Sequence, residues 1–395
     1  MEPMHTCKLF GAIKTILGIK NAIPIVHGPV GCAYHMRYLL TLRGGSKVKI
    51  CSTQLSQEDV VFGAEKKLKD TIVKVDKYYK PDLIAVLTSC STSIIGEDVF
   101  RVVKEIKNEI NAEIIAVSAG GFEARQNEGY EDTIMTLIKE LVKPCKKSDK
   151  PLINFIGMYR GGPDLKHLKN ELKKMGIGVN CVLTSGCNIR EIRNLTKANL
   201  NYSFCDISAI KPSKFLKKKF GMEFIDYPFP IGFNNTYRFF NKILDFFDID
   251  YPLEKEYAEF KEIKDKLIKN LKGCKVAIIS GPTRAVALTD FIIELGMEPV
   301  LISIDLVGEK TLKHLNTVLS NTNFEPEILI EPDLIQIEKR LKDTDVDIIL
   351  GGANELSFSF TYKIPVVDVM HGQAKTMGWD GAREIARTIL KNIKT

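Results

Sequence analysis

The chain has 395 residues, of which 45% are hydrophobic and 27% charged, proportions that exclude a largely disordered chain or a low-complexity fibre and call for two or three packed units. Lys and Arg number 56 against 49 Asp and Glu, a net charge of +7 spread over helix faces, which does not indicate nucleic-acid binding. No run approaches the ~18 to 20 apolar residues of a membrane span and residues 1–11 lack a signal-peptide pattern, so a cytosolic protein is expected.

From Pro81 the pattern is regular. An apolar strand over 83–87 ends in small polar residues, an amphipathic helix is predicted from about Ile95 to Glu109, and a second strand covers 113–117; parallel strands of this kind need a crossover helix. The alternation restarts at 151–156 (strand), 163–175 (helix after Gly161-Gly162) and 179–183 (strand). Lys217-Lys218-Lys219 is predicted at the end of a helix, where cations are favoured and solvated. A Lys- and Glu-rich stretch, 254–272, reads as a connecting helix. A third round follows at 274–280 (strand), 286–295 (helix closed by Gly296) and 299–303 (strand), with 346–350 and 366–367 continuing the sheet. Near-continuous apolar strands indicate sheets covered on both faces. The expectation is an α/β protein of three Rossmann-like domains with parallel sheets, at residues 1–148, 149–255 and 256–395, the last ending in a helix that returns toward the first domain.

Ligands of open parallel sheets settle beyond the carboxyl ends of the strands. That rule selects the loops at 88–92, 118–129, 157–162, 184–190, 280–284, 351–355 and 369–377. None carries G-x-G-x-x-G after a strand, and no G-x-x-x-x-G-K-[ST] occurs, which removes most support for a conventional dehydrogenase or kinase. The nine cysteines include no C-x-x-C pair, so a disulfide framework or zinc ribbon does not fit. Three have special positions: Cys7 opens a helix-like segment, Cys32 sits in the turn His27-Gly28-Pro29-Val30-Gly31-Cys32, and Cys90 crowns a strand. Tens of residues separate them, so a site built from them is assembled by tertiary structure. Thiolates favour iron–sulfur centres and glycine admits a bulky inorganic core; buried structural cysteines are the other reading.

Cys7-Lys8-Leu9-Phe10-Gly11-Ala12, then Leu17-Gly18-Ile19 and Val26-His27-Gly28-Pro29-Val30-Gly31-Cys32, resembles the opening of nitrogenase component 1 subunits. The segment from Thr88-Ser89-Cys90 to Gly96-Glu97-Asp98 resembles that family's third cysteine motif. The resemblance extends over nearly the whole chain. It implies a nitrogenase component 1-like fold, with Cys7, Cys32 and Cys90 as ligands of an iron–sulfur cluster, of 4Fe-4S type, at or near a dimer interface. Asn201-Tyr202-Ser203-Phe204-Cys205 and Val369-Met370-His371 are similar to the segments that hold the two ends of the nitrogenase catalytic cofactor, so Cys205 and His371 are expected at one cavity. In the loop Gly121-Phe122-Glu123-Ala124-Arg125, extending to Tyr130, the tyrosine stands where nitrogenase has a proton-donating histidine, which argues against dinitrogen as substrate. The sequence mixes features of both nitrogenase subunit types, as expected of a homodimer.

Within that superfamily the chain looks most like the large components of methanogen nickel-sirohydrochlorin a,c-diamide reductive cyclases. That resemblance implies reduction and lactam closure of a nickel tetrapyrrole, with single electrons from a nitrogenase reductase-like iron protein that hydrolyses ATP; ATP is not bound here. The flat, many-carboxylate substrate calls for apolar walls and bidentate arginines, and Arg37, Arg125, Arg160 and Arg284 follow motif or strand-end positions. His371, Tyr130 and Glu131 are the candidate proton donors; His371 as an axial nickel ligand is an alternative. The rival readings are another nitrogenase-like reductase, a scaffold for cofactor assembly, and a metal-free small-ligand binding protein. No membrane partner is expected.

Overall fold

The computed structural model describes residues 6–42, 48–122, 124–159, 161–352, 355–370 and 374–393. It has two compact units. The first is formed by 1–159, 180–202 and 208–224, the second by 160–179, 203–207 and 225–395. The architecture is α/β with parallel sheets, as the sequence indicated.

In the first unit, β1 (Ala22–His27), β2 (Cys51–Ser52), β3 (Leu83–Thr88) and β4 (Glu113–Val117) form a sheet of order β2-β1-β3-β4. The pairs β1–β2, β1–β3 and β3–β4 are all parallel, with Ile25 opposite Val86 and Val86 opposite Ala116. The helices of this part are α1 (Lys8–Leu17), α2 (Val30–Leu42), α3 (Gln57–Phe62), α4 (Glu65–Tyr79), α5 (Cys90–Ile95), α6 (Val99–Ile106) and α7 (Gln126–Leu141). Alternate strand residues Ile23, Ile25, Ile84, Val86 and Ile114 pack with Leu68 and Ile72 of α4 and Val102 and Ile106 of α6 in one buried cluster. Helices α1 and α7 pack against other parts of the same strands, so the sheet is covered on both faces and every residue of β3 is buried. A Cβ on Gly11 would stand 2.0 Å from the Gln126 carbonyl oxygen, and one on Gly129 2.0 Å from that of Lys8. These two glycines let α1 and α7 touch backbone to backbone.

A second sheet has the order β6-β5-β7-β8, from β5 (Leu152–Ile156), β6 (Gly178–Leu183), β7 (Leu200–Ser203) and β8 (Glu223–Ile225). In the second unit, β9 (Lys275–Ser280), β10 (Glu298–Ile304), β11 (Glu327–Ile330), β12 (Ile348–Gly351) and β13 (Val366–Asp368) form a five-stranded sheet of order β11-β10-β9-β12-β13, parallel throughout. No helix among the described residues is long and apolar enough to cross a membrane.

Two sequence expectations need correction. The helix expected from Ile95 to Glu109 is the shorter α6, because Gly96 takes a left-handed conformation (φ 74°) that ends the separate helix α5, and Asp98 caps α6 by accepting from Arg101 N–H. The helix expected from Val286 begins at Pro282, whose fixed φ suits a first helical position. The Lys- and Glu-rich stretch is one helix, Leu253–Leu271, and Lys217, Lys218 and Lys219 form the exposed last turn of the helix Ile210–Phe220.

Candidate metal centre

The three singled-out cysteines lie in the first unit at the ends of adjacent elements. Cys7 is the N-cap of α1. Its segment pairs with the loop after β4: Cys7 and Arg125 form an antiparallel bridge, and Lys8 N–H donates to the Ala124 carbonyl at 3.2 Å. Cys32 lies in the first turn of α2, just beyond the end of β1. Cys90 is the first residue of α5; Ser89 caps that helix reciprocally with Thr92, which fixes where the chain turns out of β3.

Gly121, in the loop between β4 and α7, brings two of these together. Its backbone N–H donates to Cys90 Sγ at 3.3 Å. A Cβ built on Gly121 would stand 2.6 Å from Cys7 Cβ and 3.4 Å from Cys7 Sγ. With standard bond lengths, the sulfurs of Cys7 and Cys90 are therefore no more than about 9 Å apart. Cys32 completes the group: burial first, then the adjoining thiols of Cys90 and Cys7, push its thiol above the ordinary range. All three are free thiols and half-buried. Among the described residues no three His, Cys, Asp or Glu side chains converge closely enough for a single metal ion. Three thiols around a wider space, with an amide N–H aimed at one sulfur, are instead a donor set that fits an iron–sulfur core.

The remaining expected site residues fall in several places. Arg37, on α2, donates through Nη2 to the Ile50 carbonyl at 2.7 Å and lines a cleft of about 760 Å³ with Tyr34, Cys51 and Tyr78. Arg125 caps α7, its N–H donating to Glu128 at 2.9 Å. Tyr130, one turn on, rests against Tyr159 with ring centroids 4.7 Å apart, and Glu131 accepts from Lys211 Nζ at 2.6 Å. Arg160 and His371 lie outside the described residues.

Cys205 and Arg284 belong to the second unit. Asp206, next to Cys205, donates its N–H to Thr283 Oγ1 at 3.0 Å and accepts from Lys310 N–H at 3.0 Å and from the Thr311 hydroxyl. A Cβ on Gly308 would lie 2.4 Å from Asp206 Oδ2, so the carboxylate is packed under that loop. Arg284, the neighbour of Thr283, turns inward. Its Nη1 donates to the Val369 carbonyl at 2.9 Å and to Thr376 Oγ1 at 3.1 Å, residues on either side of His371. Asp164, fully buried, accepts from Thr376 N–H (2.6 Å), Thr376 Oγ1 (2.8 Å) and Met377 N–H (3.0 Å). The Cys205 segment and both flanks of His371 are thus tied to consecutive residues, Thr283 and Arg284.

Gly121, Asp206 and Asp164 were not singled out in the sequence. Gly121 falls within a strand-end loop that was, but its N–H is a donor only once Cys90 is beside it. Asp164 offered a weak signal, an acidic residue in a helix first turn after Gly-Pro.

Known proteins resemble the chain over nearly its whole length. A family model described as nitrogenase component 1 type oxidoreductase matches residues 7–394. The chain is 30% identical to the nitrogenase iron-molybdenum cofactor biosynthesis protein NifE of Clostridium pasteurianum, over 98% of this chain and 86% of that one. It is 26% identical to the nitrogenase molybdenum-iron protein beta chain of Methanococcus maripaludis, over 100% of this chain and 94% of the other. The solved structure "Nitrogenase Cp1 at pH 6.5" superposes with a TM-score of 0.90 at 22% identity, covering 100% of this chain and 93% of that chain.

Proposed function

The chain belongs to the nitrogenase component 1 type oxidoreductases, and from that premise we propose that it is the cluster-bearing component of a two-part reductase, with Cys7, Cys32 and Cys90 holding an iron–sulfur centre that receives electrons from a separate ATP-hydrolysing iron protein. The observation that carries this reading is the gathering of Cys7 and Cys90 about Gly121, with Cys32 near enough to both thiols to feel them. A thiolate-held cluster supplies one-electron storage at low potential. The chain's own residues do the rest: the α1, α2 and α5 starts fix the sulfurs, and Gly121 N–H lowers the charge density on Cys90. The absence of a P-loop fits a scheme in which the partner hydrolyses ATP.

For the substrate, we carry the reading that the sequence resemblance favours: nickel-sirohydrochlorin a,c-diamide, reduced and closed to a lactam on the way to the nickel hydrocorphinoid cofactor of methyl-coenzyme M reductase. In this scheme the chain acts as a homodimer, Cys205, Arg37, Arg125, Arg160 and Arg284 face substrate or cofactor, and His371, Tyr130 or Glu131 deliver protons. The internal bonds of Arg284 and the ion pair of Glu131 make these two weaker candidates than Arg125 and Tyr130. A second reading, a scaffold on which a nitrogenase-type cofactor is assembled, draws on the 30% identity to NifE. Anaerobic purification with iron and sulfide analysis, then incubation with the nickel tetrapyrrole, reductase partner, ATP and reductant, separates them. A change in the visible spectrum that needs every component supports the cyclase. A transferable metal cofactor without tetrapyrrole turnover supports the scaffold, and absence of stoichiometric iron and sulfide ends both.

A further inference from the structure

His27 ends β1 and is fully buried. Its Nδ1 is 3.0 Å from Thr53 Oγ1, and its Nε2 meets one carboxylate oxygen of Glu97. The other Glu97 oxygen accepts from Ala64 N–H at the start of α4. Burial holds the imidazole below its ordinary pKa against the pull of Glu97 and, more weakly, Asp59. The neutral ring fits its partners: Nε2–H donates to Glu97, and Nδ1 accepts from the Thr53 hydroxyl, whose oxygen accepts Gly28 N–H at 3.1 Å. The charged ring would fit as well, because each of its two N–H groups already faces an acceptor. Among the described residues the charged groups turned toward it are Glu97, from the α5–α6 turn, and Asp59 of α3, itself paired with Lys67 of α4.

The backbone that carries this ring joins the loops of two of the thiols. Gly28 opens the turn to Cys32 and is pressed on Ser89, where a Cβ would come 2.4 Å from Ser89 Oγ. The Thr92 hydroxyl lies 3.2 Å from the His27 carbonyl oxygen. Ser89 and Thr92 flank Cys90 in the chain. A buried, neutral base with both hydrogen-bond acceptors in place, behind a site that gains negative charge on reduction, is a means of charge compensation.

We propose that His27 is a positioning residue that binds a proton when the centre held by Cys7, Cys32 and Cys90 takes up an electron. The step rests on the reading of those thiols given above. One electron comes from the iron-protein partner, or from an electrode in the test. One proton comes from water, with Glu97 (7% exposed) the more accessible member of the pair. The only bond formed is N–H on His27, and the reduced site keeps its net charge. A unit charge on the order of 10 Å away, at an effective permittivity near 20, shifts a proton affinity about tenfold.

The test is the midpoint potential of the iron–sulfur-loaded full chain as a function of pH. The expected wild-type result is a potential that falls with rising pH by about 59 mV in all, the equivalent of that tenfold change in proton affinity, across the window between the His27 pKa values of the oxidised and reduced forms, and a flat line outside it. His27→Gln, which keeps a donor for Glu97 and an acceptor for Thr53, removes the slope. Glu97→Gln keeps the imidazole but loses the carboxylate that favours its protonation, so the window moves to lower pH; it serves if His27→Gln does not fold. In parallel, the nitrogen resonances of the His27 ring move to the protonated pattern on reduction at a pH inside the window. A wild-type potential independent of pH, or a slope retained in His27→Gln, overturns the assignment while leaving the cluster intact. A chain that takes up no iron and sulfide instead defeats the reading of the thiols, and is recognised by metal analysis before any potential is measured.

Discussion

Replacing Gly121 with alanine probes the gathering of the thiols at its tightest point. The new methyl group would stand 2.6 Å from Cys7 Cβ, with Lys8 N at 3.2 Å and Cys7 Sγ at 3.4 Å. Ordinary carbon contacts are about 3.5 to 4.0 Å, so the overlap is roughly 1 Å. The opposing atom is the first carbon of the residue that caps α1, held by the bridge to Arg125, not the tip of a flexible side chain. Relief therefore requires the chain to move, at about 1 to 3 kcal/mol. The melting temperature of the iron-free chain falls by a few degrees, at about 2 to 4 °C per kcal/mol. The same movement separates the Gly121 N–H from Cys90 Sγ, now 3.3 Å apart, and shifts Cys7 relative to Cys90, so iron affinity falls about tenfold or more, as when groups orienting metal ligands are disturbed. Gly31, next to Cys32 in the chain, is the control. Nothing lies within 4 Å of a Cβ there and it sits inside α2, so Gly31→Ala leaves the iron-free chain as stable or more so, by up to about 1 kcal/mol. Differential scanning fluorimetry and iron titration under anaerobic conditions read both. A Gly121→Ala protein with unchanged melting and iron uptake would show that Cys7 is not packed on this loop and refute the geometry from which the centre is built.

Cys90→Ser relieves Cys32 of one neighbouring thiol, so Cys32 in the iron-free chain is alkylated faster near pH 8 than in wild type; mass-spectrometric mapping of iodoacetamide labelling checks this, and an equal rate would contradict their proximity. Asp164→Ala strands Thr376 N–H, its hydroxyl and Met377 N–H in a buried place; a loss of about 3 kcal/mol or more in chemical denaturation is expected, and a loss under 1 would mean that the 369–377 segment is held by something else. Glu294, buried beside Lys264 and the Asn234 N–H, is pushed by burial up to about 7. The folded state thus binds a proton that the unfolded state releases above about pH 4.5, and the stabilisation this group gives at low pH is lost as pH rises toward 7. Glu294→Gln removes that dependence, so its stability relative to wild type improves by about 3 kcal/mol between pH 4.5 and 7; a constant difference would show that the carboxyl stays ionised throughout.

The sequence by itself carried the α/β class. Runs such as Leu83 to Thr88 are apolar on both faces because helices cover both faces, and that requirement is written locally. It also marked the three cysteines, since each follows or precedes a glycine-rich or polar turn at an element's end. It did not reveal β1, where Pro24 interrupts an otherwise strand-like run, nor the two-residue β2, whose pairing with β1 depends on a partner distant in the chain. The helix expected from Ile95 starts only at Val99, because Gly96 in the left-handed region breaks the chain there whatever the amphipathic pattern suggests, and the short α5 before it was not foreseen.

What needed the tertiary structure was every relation among groups far apart in the chain. Gly121 becomes a donor to sulfur only because the parallel pairing of β3 and β4 carries the loops after both strands to the same edge. Arg284 reads from sequence as a candidate for a substrate carboxylate, yet the fold commits its Nη1 to Val369 and Thr376. His27 and Glu97 each sit in a cysteine motif, but that they share a hydrogen bond depends on α5 being short enough for the turn after it to fold back beneath β1. Local pattern encodes which faces must be buried, because burial acts residue by residue; which polar atoms then meet is decided by strand order and loop closure, and no short stretch of sequence contains those.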